Sequence, residues 1–261
     1  MTSTPPIRFL QIDGHRLEYQ LFPAKRADLP TLVLLHQGLG SLELWRDFPS
    51  QVADQTGCAA LVYSRYGYGR SEVIHAARKP DFLVHEGAIV LPELIATLGI
   101  DGVILIGHSD GGTAALAYAG KGHRARALVV VAPHIRDEAA TQDAIQRHLA
   151  AWPTGVLRAR MARYHDDVDR MFLAWANVWP TPENAGWTIE PLLPNITCPI
   201  LAIQGADDDH GTMTQIDQIA ALARGPVTLE KWPQCGHDPF RDQPDHALTV
   251  ITAFVASIAA T

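Results

Sequence analysis

Gly107-His108-Ser109-Asp110-Gly111-Gly112 is the stretch that decides the fold of this chain. It follows an apolar run at 103–106 that is typical of a buried strand, and it precedes a helix-like run at 113–119. Glycines two residues before and after the serine suit a sharp strand-to-helix turn, where side chains would collide. Such a turn lifts the serine hydroxyl above the sheet and places a helix N-terminus beneath it. Because similar turns also close βαβ units or bind phosphate, the motif predicts a nucleophile only together with partners elsewhere.

Strand-like and helix-like segments alternate on both sides of this turn. Strands are predicted at 7–13, 15–22, 31–36, 58–63, 103–106, 126–132, 199–204 and 227–231, and helices at 42–55, 82–98, 113–119, 212–224 and 244–260. Continuous apolar runs such as 31–36 are expected of strands that are buried on both faces. The alternation predicts an α/β fold, with a mostly parallel sheet between two layers of helices.

The pattern changes between about residues 133 and 197. Helical stretches that carry tryptophan, tyrosine, phenylalanine and methionine replace the strands, and five prolines follow between Pro180 and Pro199. We therefore expect a helical insertion at 134–197 within a core formed by 1–133 and 198–261.

Composition narrows the function classes. The 261 residues carry a formal net charge of −7, which argues against a nucleic-acid partner because such a partner favours a basic surface. The N-terminus lacks the basic and apolar stretches of a secretory signal, and no apolar run is long enough to span a bilayer. Three cysteines form no disulfide framework and are expected in the core. We expect a cytoplasmic protein, monomeric or homodimeric, that acts on a small molecule without a membrane partner.

The serine needs a base, and the base needs an acid to orient it. In folds with this serine turn, the acid and then the histidine follow along the chain. Asp208 is the favoured acid and Asp207 the second choice, because both follow the strand at 199–204 and so lie on the same sheet edge as Ser109. His237 is the candidate base, since it follows the last predicted strand and a glycine.

Two other interpretations of the acidic loop stay open. It is either a solvated turn or a metal site built from Asp207, Asp209 and His210, although that spacing matches no calcium-binding loop. A serine nucleophile needs no ion, so we predict no metal and no cofactor. The oxyanion hole needs two N–H groups, one of which is expected from Asp110 and the other from the glycine-containing loop at 36–41.

Five motifs together resemble those of the α/β-hydrolase superfamily, in the branch with a helical cap between the sixth and seventh strands. They are His36-Gln37-Gly38-Leu39-Gly40-Ser41, Ser64-Arg65-Tyr66-Gly67-Tyr68-Gly69-Arg70-Ser71, the serine turn, Gly205-Ala206-Asp207-Asp208 and Gly236-His237. The resemblance covers nearly the whole chain. It implies an eight-stranded, mostly parallel sheet, the triad Ser109–Asp208–His237, a cap at 134–197 and Gly38 as the second oxyanion donor.

Two residues depart from the superfamily's usual pattern. Gln37 replaces the glycine that usually follows the histidine of the oxyanion loop, and it is expected to contact substrate, to support the loop or only to fill space. Asp110 follows the nucleophile, where its carboxylate disfavours a developing anion. We expect the Asp110 side chain to point away from the site or to pair with a base.

The resemblance implies acyl transfer to water from a small, largely apolar ester or lactone. Carbon–carbon hydrolysis of a vinylogous diketone is the alternative, and a non-catalytic receptor or a hydroxynitrile lyase is less favoured. A serine at the turn disfavours haloalkane dehalogenase and epoxide hydrolase activity, because those members use aspartate. The candidate substrate-binding residues are Gln37, His134, Trp152, Trp175 and Trp179, although the tryptophans would equally serve to hold the cap together.

Overall fold

The computed structural model describes residues 4–259, and within them eight strands form one sheet. The strands are β1 (Arg8–Ile12), β2 (His15–Phe22), β3 (Thr31–Leu35), β4 (Ala59–Tyr63), β5 (Val103–His108), β6 (Ala127–Val131), β7 (Ile200–Gly205) and β8 (Val227–Trp232). Their order across the sheet is β1-β2-β4-β3-β5-β6-β7-β8. The pairs β1–β2 and β2–β4 are antiparallel and all other neighbouring pairs are parallel, which confirms the predicted sheet.

The parallel pairing brings the carboxyl ends of six strands, β3 to β8, to one edge of the sheet. Strand β5 lies in the middle, with Gly107 opposite Leu35 of β3 and His108 opposite Val131 of β6. Strands β7 and β8 continue in parallel beyond β6. Parallel strands place the loops that follow them on a common edge, so the loops after β3, β5, β7 and β8 can build one site.

The α-helices lie on both faces of the sheet and in the chain between β6 and β7. They are α1 (Phe48–Thr56), α2 (Phe82–His85), α3 (Leu91–Thr97), α4 (Asp110–Gly120), α5 (Ala139–Ala151), α6 (Val156–Met161), α7 (Val168–Ala176), α8 (Thr214–Leu222), α9 (Pro239–Asp242) and α10 (Pro244–Ala259). A π-helical turn at Glu86–Val90 joins α2 to α3. Helices α1 and α10 pack on one face, and α2 to α4 and α8 pack on the other. Neighbouring residues of β3 alternate between these two cores, as a strand buried on both faces requires.

The helix predicted at 42–55 is wrong in its first half. The structure has a 3-10 turn at Leu42–Trp45, then Arg46 with a left-handed φ of 51°, and α1 only from Phe48. Pro49 explains the interruption, because in one continuous helix its ring would collide with the carbonyl group of Trp45.

The chain between β6 and β7, residues 132–199, is here called the β6–β7 segment. It contains α5, α6, α7 and 3-10 turns at Trp152–Thr154, Pro182–Asn184 and Glu190–Asn195. An isolated antiparallel bridge joins Arg136 to Thr188 near its two ends. His165 fastens it to the sheet domain, since its Nδ1 accepts from the Gly69 amide at 2.9 Å and its Nε2 donates to the Leu39 carbonyl at 3.1 Å. The predicted insertion at 134–197 lies within this segment.

None of the helices within residues 4–259 combines the length and the apolar character that crossing a membrane requires.

Candidate active site

Ser109 occupies a strained turn between β5 and α4. Its φ of 52° and ψ of −117° lie in a region that residues other than glycine rarely adopt. A Cβ atom at Gly107 would meet the backbone of Gly111, and one at Gly111 would meet the carbonyl group of Leu35. The two glycines are therefore required by contacts within the turn and with the neighbouring strand β3. The Ser109 amide donates to the Val131 carbonyl at 2.8 Å, which ties the turn to β6.

Three sequence-predicted residues form a hydrogen-bonded chain. The Ser109 Oγ lies 2.9 Å from His237 Nε2, and His237 Nδ1 lies 2.8 Å and 3.0 Å from the two carboxylate oxygens of Asp208. Asp208 follows β7 and His237 follows β8, so the sheet register brings together residues that are 128 and 29 positions apart in the chain. In this arrangement the imidazole accepts the serine proton while the carboxylate fixes its tautomer.

The Asp208 carboxylate is held by more than the histidine. It accepts from Gln204 Nε2 at 2.6 Å and from the backbone amides of His210 at 2.7 Å and Gly211 at 3.2 Å. Burial raises the pKa of Asp208, but the bond and charge of His237 and the His210 amide outweigh burial, so its pKa lies below the ordinary value. The second-choice acid, Asp207, is exposed to solvent, and the structure joins His237 to Asp208 instead.

The two predicted oxyanion residues line one cavity with Ser109. Gly38 comes from the loop after β3, and Asp110 is the first residue of α4. Gln37 supports the Gly38 loop, because its side-chain oxygen accepts from the Leu39 amide at 2.6 Å. Gln37 also lines the cavity, so the two functions considered for it are compatible.

The Asp110 side chain is buried beside a base. Its Oδ2 lies 3.7 Å from Arg65 Nη2, both side chains are 2% exposed, and Trp175 Nε1 donates to the same oxygen at 3.0 Å. Burial raises the pKa of Asp110, while the charge of Arg65 and the Trp175 bond act in the opposite direction. The pairing expected for this unusual carboxylate is thus present.

The cavity has a volume of about 640 Å³ and extends from the sheet edge to the β6–β7 segment. Of the four substrate-contact candidates in that segment, His134, Trp175 and Trp179 line it. Its apolar lining also includes Ile145, Leu157, Met161, Tyr164 and Phe240.

Trp152 is not among the lining residues. Its ring stacks on Phe172 with centroids 3.6 Å apart, and its Nε1 donates to Asp169 at 2.9 Å. These contacts turn the indole into the interior of the β6–β7 segment. We therefore do not retain Trp152 as a substrate contact.

A group of histidines surrounds His237. Of these, the sequence predicted only His134 as a substrate contact, considered His210 only as a metal ligand, and assigned no function to His108. The His210 ring lies 4.5 Å from that of His237, and the rings of His134 and His108 each lie 5.5 Å from it. His108 Nε2 donates to the His237 carbonyl at 2.7 Å and so holds the loop after β8. Burial lowers the pKa of His134 to about 3 and that of His210 to about 4, which keeps both rings neutral beside the proposed base. In the sequence, His108 directly precedes Ser109 and His210 follows Asp208 by two residues. This proximity along the chain was the only sequence signal that could have placed these two histidines at the site.

The metal alternative takes a different form from the one considered for the acidic loop. Within the described residues, Asp208, His210 and His237 each bring one ligand atom within 4.8 Å of the others, whereas Asp207 is exposed. Two of these three residues are already hydrogen bonded to each other and, through His237, to Ser109. The hydrogen-bonded chain accounts for their proximity without a metal ion.

Known proteins share sequence and fold with this chain. The sequence profile of the alpha/beta hydrolase family matches residues 32–249. The proline iminopeptidase of Saccharolobus solfataricus is 33% identical over 114 residues, which cover 42% of this chain and only 35% of that protein.

Two solved structures share the fold. A thermophilic esterase from Thermogutta terrifontis superposes with a TM-score of 0.76 at 17% identity, over 97% of this chain and 99% of that chain. A structure described under novel epoxide hydrolases from metagenomes of hot environments has a TM-score of 0.76 at 22% identity, with the same coverage of 97% and 99%.

Proposed function

The chain belongs to the alpha/beta hydrolase family, and we propose that it is a serine hydrolase that transfers the acyl group of a small, largely apolar carboxylic ester or lactone to water. The observation that carries the proposal is the chain of hydrogen bonds from Ser109 through His237 to Asp208, at 2.9 Å and 2.8 Å. The Ser109 end of this chain of hydrogen bonds lies in the same cavity that the oxyanion candidates Gly38 and Asp110 line.

The proposed reaction has two halves. In the first, Ser109 Oγ attacks the substrate carbonyl carbon while its proton passes to His237 Nε2, and the tetrahedral intermediate collapses as that proton goes to the leaving alcohol oxygen. In the second, His237 takes a proton from water, the resulting hydroxide attacks the acyl-serine, and the returned proton restores the Ser109 hydroxyl as the acid departs. Asp208 stabilises the imidazolium ion in both halves without taking its proton.

The negative oxygen of each intermediate is assigned to the amides of Gly38 and Asp110. Asp110 N–H lies in the first turn of α4, where free amides and the helix dipole favour negative charge. A preformed pair of donors stabilises the intermediate more than the ground state, and this difference accelerates the reaction.

The shape of the cavity supports a small, largely apolar substrate. A volume of about 640 Å³ lies within the usual range for small-molecule sites, and aromatic and aliphatic side chains provide much of its lining. We propose that residues 134–197 act as a cap over the core of residues 1–133 and 198–261, because α5, α6 and α7 contribute lining residues above the triad.

A proline iminopeptidase is the second candidate, since the Saccharolobus relative bears that name. Recognition of a substrate's cationic amine inside such a cavity favours an unpaired carboxylate. Among the lining acids, Asp110 is paired with Arg65 and Asp209 with Arg147. The other two are Asp47, which is exposed, and Asp238, which caps α9. This distribution favours an ester or lactone over an aminoacyl substrate.

The similarity to an epoxide hydrolase structure does not change the proposed reaction. Ser109 occupies the turn, and a serine alkoxide that opened an epoxide would leave an ether, which the triad has no means to hydrolyse. We therefore assign carbonyl substrates to this site.

The proposal is tested by fluorophosphonate labelling followed by a substrate panel. Mass spectrometry should find the label on Ser109, and p-nitrophenyl esters and lactones of short to medium chain should be hydrolysed. Ser109→Ala should abolish labelling and turnover, whereas the control Ser257→Ala, on the exposed side of α10, should keep both. The panel includes a vinylogous diketone and a prolyl amide. Preference for the diketone would replace ester hydrolysis by carbon–carbon hydrolysis, and binding without labelling or turnover would indicate a receptor.

A further inference from the structure

Trp175 of α7 touches both residues of the proposed oxyanion hole. A Cβ atom built on Gly38 would lie 2.6 Å from Trp175 Cε2, so the indole rests directly on that glycine. The indole Nε1 donates to Asp110 Oδ2 at 3.0 Å, and the Trp175 side chain is buried. A single side chain of the β6–β7 segment thus fixes the loop after β3 relative to the first residue of α4.

Arg65 also links Asp110 to the loop after β3. Its guanidinium lies 3.7 Å from Asp110 Oδ2, and it also donates to the carbonyl groups of His36 and Gln37. The buried Arg65 guanidinium therefore binds both the backbone just before Gly38 and the carboxylate of Asp110. With only 2% of each side chain exposed, neither Arg65 nor Asp110 has water to replace a lost partner.

A carboxylate beside an oxyanion hole is costly unless it is held away from the developing charge. Two negative charges within a few ångströms repel strongly at a site that excludes water. The Trp175 N–H and the Arg65 guanidinium both act on Oδ2, so they fix the direction of the carboxylate and offset its charge. Loss of the indole bond would free this group beside the reacting oxygen.

We propose that Trp175 and Asp110 are positioning residues, which make the oxyanion hole fully formed only when α7 is docked on the sheet edge. The inference rests on the proposed function, because it assumes that the Gly38 and Asp110 amides bind the oxyanion. In a hydrolase of this construction, docking of the cap sets the chemical rate as well as access to the cavity.

The test is a double-mutant cycle on Trp175→Phe and Asp110→Ala. Phenylalanine keeps a ring on Gly38 but removes the N–H donor, and alanine removes the acceptor while keeping the Asp110 amide. Each single variant should lower kcat by roughly tenfold to a hundredfold, as small misplacements of catalytic groups do, with little change in KM. The double variant should lose no more than the worse single variant, because both remove one interaction. Asp110→Asn, which retains an acceptor oxygen, should recover part of the loss.

Trp152→Phe is a matched control within the same segment. Trp152 also donates its indole N–H to a carboxylate, that of Asp169 at 2.9 Å, but it does not line the cavity. Its substitution should change the thermal midpoint about as much as Trp175→Phe while leaving kcat near the wild-type value.

Labelling of Ser109 by a fluorophosphonate gives a second readout that needs no substrate. The phosphoryl oxygen enters the same oxyanion hole, so the labelling rate should show the same non-additive losses. Additive losses, or a raised KM with an unchanged kcat, would show that Trp175 is only a cavity wall and would overturn the inference. If the wild-type protein is labelled but turns over no acyl substrate, the proposed function is overturned. The labelling rates of the single and double variants would still decide this inference. No labelling of the wild type would overturn both.

Discussion

The carboxyl edge of the sheet and the β6–β7 segment face the same cavity but are held in place by different interactions. At the sheet edge, Ser109 and Asp208 follow the fully buried strands β5 and β7, and His237 follows the partly exposed edge strand β8. Close backbone contacts around Gly107 and Gly111 fix the serine turn. The β6–β7 segment depends on separate side-chain contacts, such as those of His165 and Trp175. The difference indicates that substitutions at the sheet edge act on chemistry or on folding, whereas those in the segment act on its docking.

The largest effect is expected from the triad. His237→Ala should lower kcat by roughly a millionfold, and Ser109→Ala combined with it should add almost nothing, because the two residues act as a unit. Steady-state kinetics on the best ester of the panel, with circular dichroism to establish folding, measures both. A residual activity in His237→Ala within tenfold of the wild type would contradict the assigned base.

Asp208→Asn sharpens the comparison between two adjacent acids. The asparagine cannot stabilise the imidazolium ion and favours the wrong tautomer, so kcat should fall roughly ten-thousandfold. Asp207→Asn is the matched control and should stay within about twofold of the wild type, because surface substitutions are usually mild. A severe Asp207 variant together with a mild Asp208 variant would reverse the assignment of the acid.

Gly111→Ala tests whether the serine turn is fixed by steric contact. The added methyl group would collide with the carbonyl group of Leu35, which belongs to a central strand and has no room to move, so the free energy of unfolding should fall by about 3 kcal/mol or more. At Gly112 the nearest atom is the Pro133 Cβ at 3.1 Å, so Gly112→Ala should cost clearly less. Urea unfolding of the two variants compares them, and equal losses would show that the backbone at Leu35 yields.

The docking of the β6–β7 segment should depend on pH through His165. Its ring accepts from Gly69 and donates to Leu39, so the folded protein holds it neutral. Burial lowers the pKa of His165 from 6.5 to about 4, so in that range the unfolded chain binds a proton that the folded protein does not. Stability should therefore fall by roughly 3 kcal/mol between pH 6.5 and 4 on account of this ring.

His165→Gln isolates this contribution, because glutamine can accept and donate without titrating. The variant should lose less stability than the wild type over the same pH range in urea unfolding. Arg70, which disfavours protonation of the ring, and Asp166, which favours it, stay in both proteins, as do the other buried histidines. Parallel losses in the two proteins would assign the pH dependence elsewhere. Hydrogen exchange should place the wild-type loss in α6 and α7 first.

The strands and the triad candidates were predictable because their signals are local. Apolar runs buried on both faces mark β3, β5, β6 and β7, and the glycines around Ser109 record a steric requirement that no other residue meets. The order of acid and histidine after the serine then limited the candidate partners to Asp208, with Asp207 as the second choice, and His237; the structure joins His237 to Asp208. The prediction of one helix at 42–55 was wrong because it followed the helical spacing of apolar residues and neglected Pro49, whose ring interrupts a helix at this point.

The sequence by itself determined the α/β architecture, the position of the serine turn and the residue types able to serve it, since periodicity and backbone sterics act over a few neighbouring residues. Only the tertiary structure decided that Trp152 turns inward while Trp175 reaches Asp110, and that His108, His134 and His210 gather around His237. Those contacts join residues far apart in the chain, and their geometry follows from packing and the desolvation of polar groups, which one-dimensional patterns do not record.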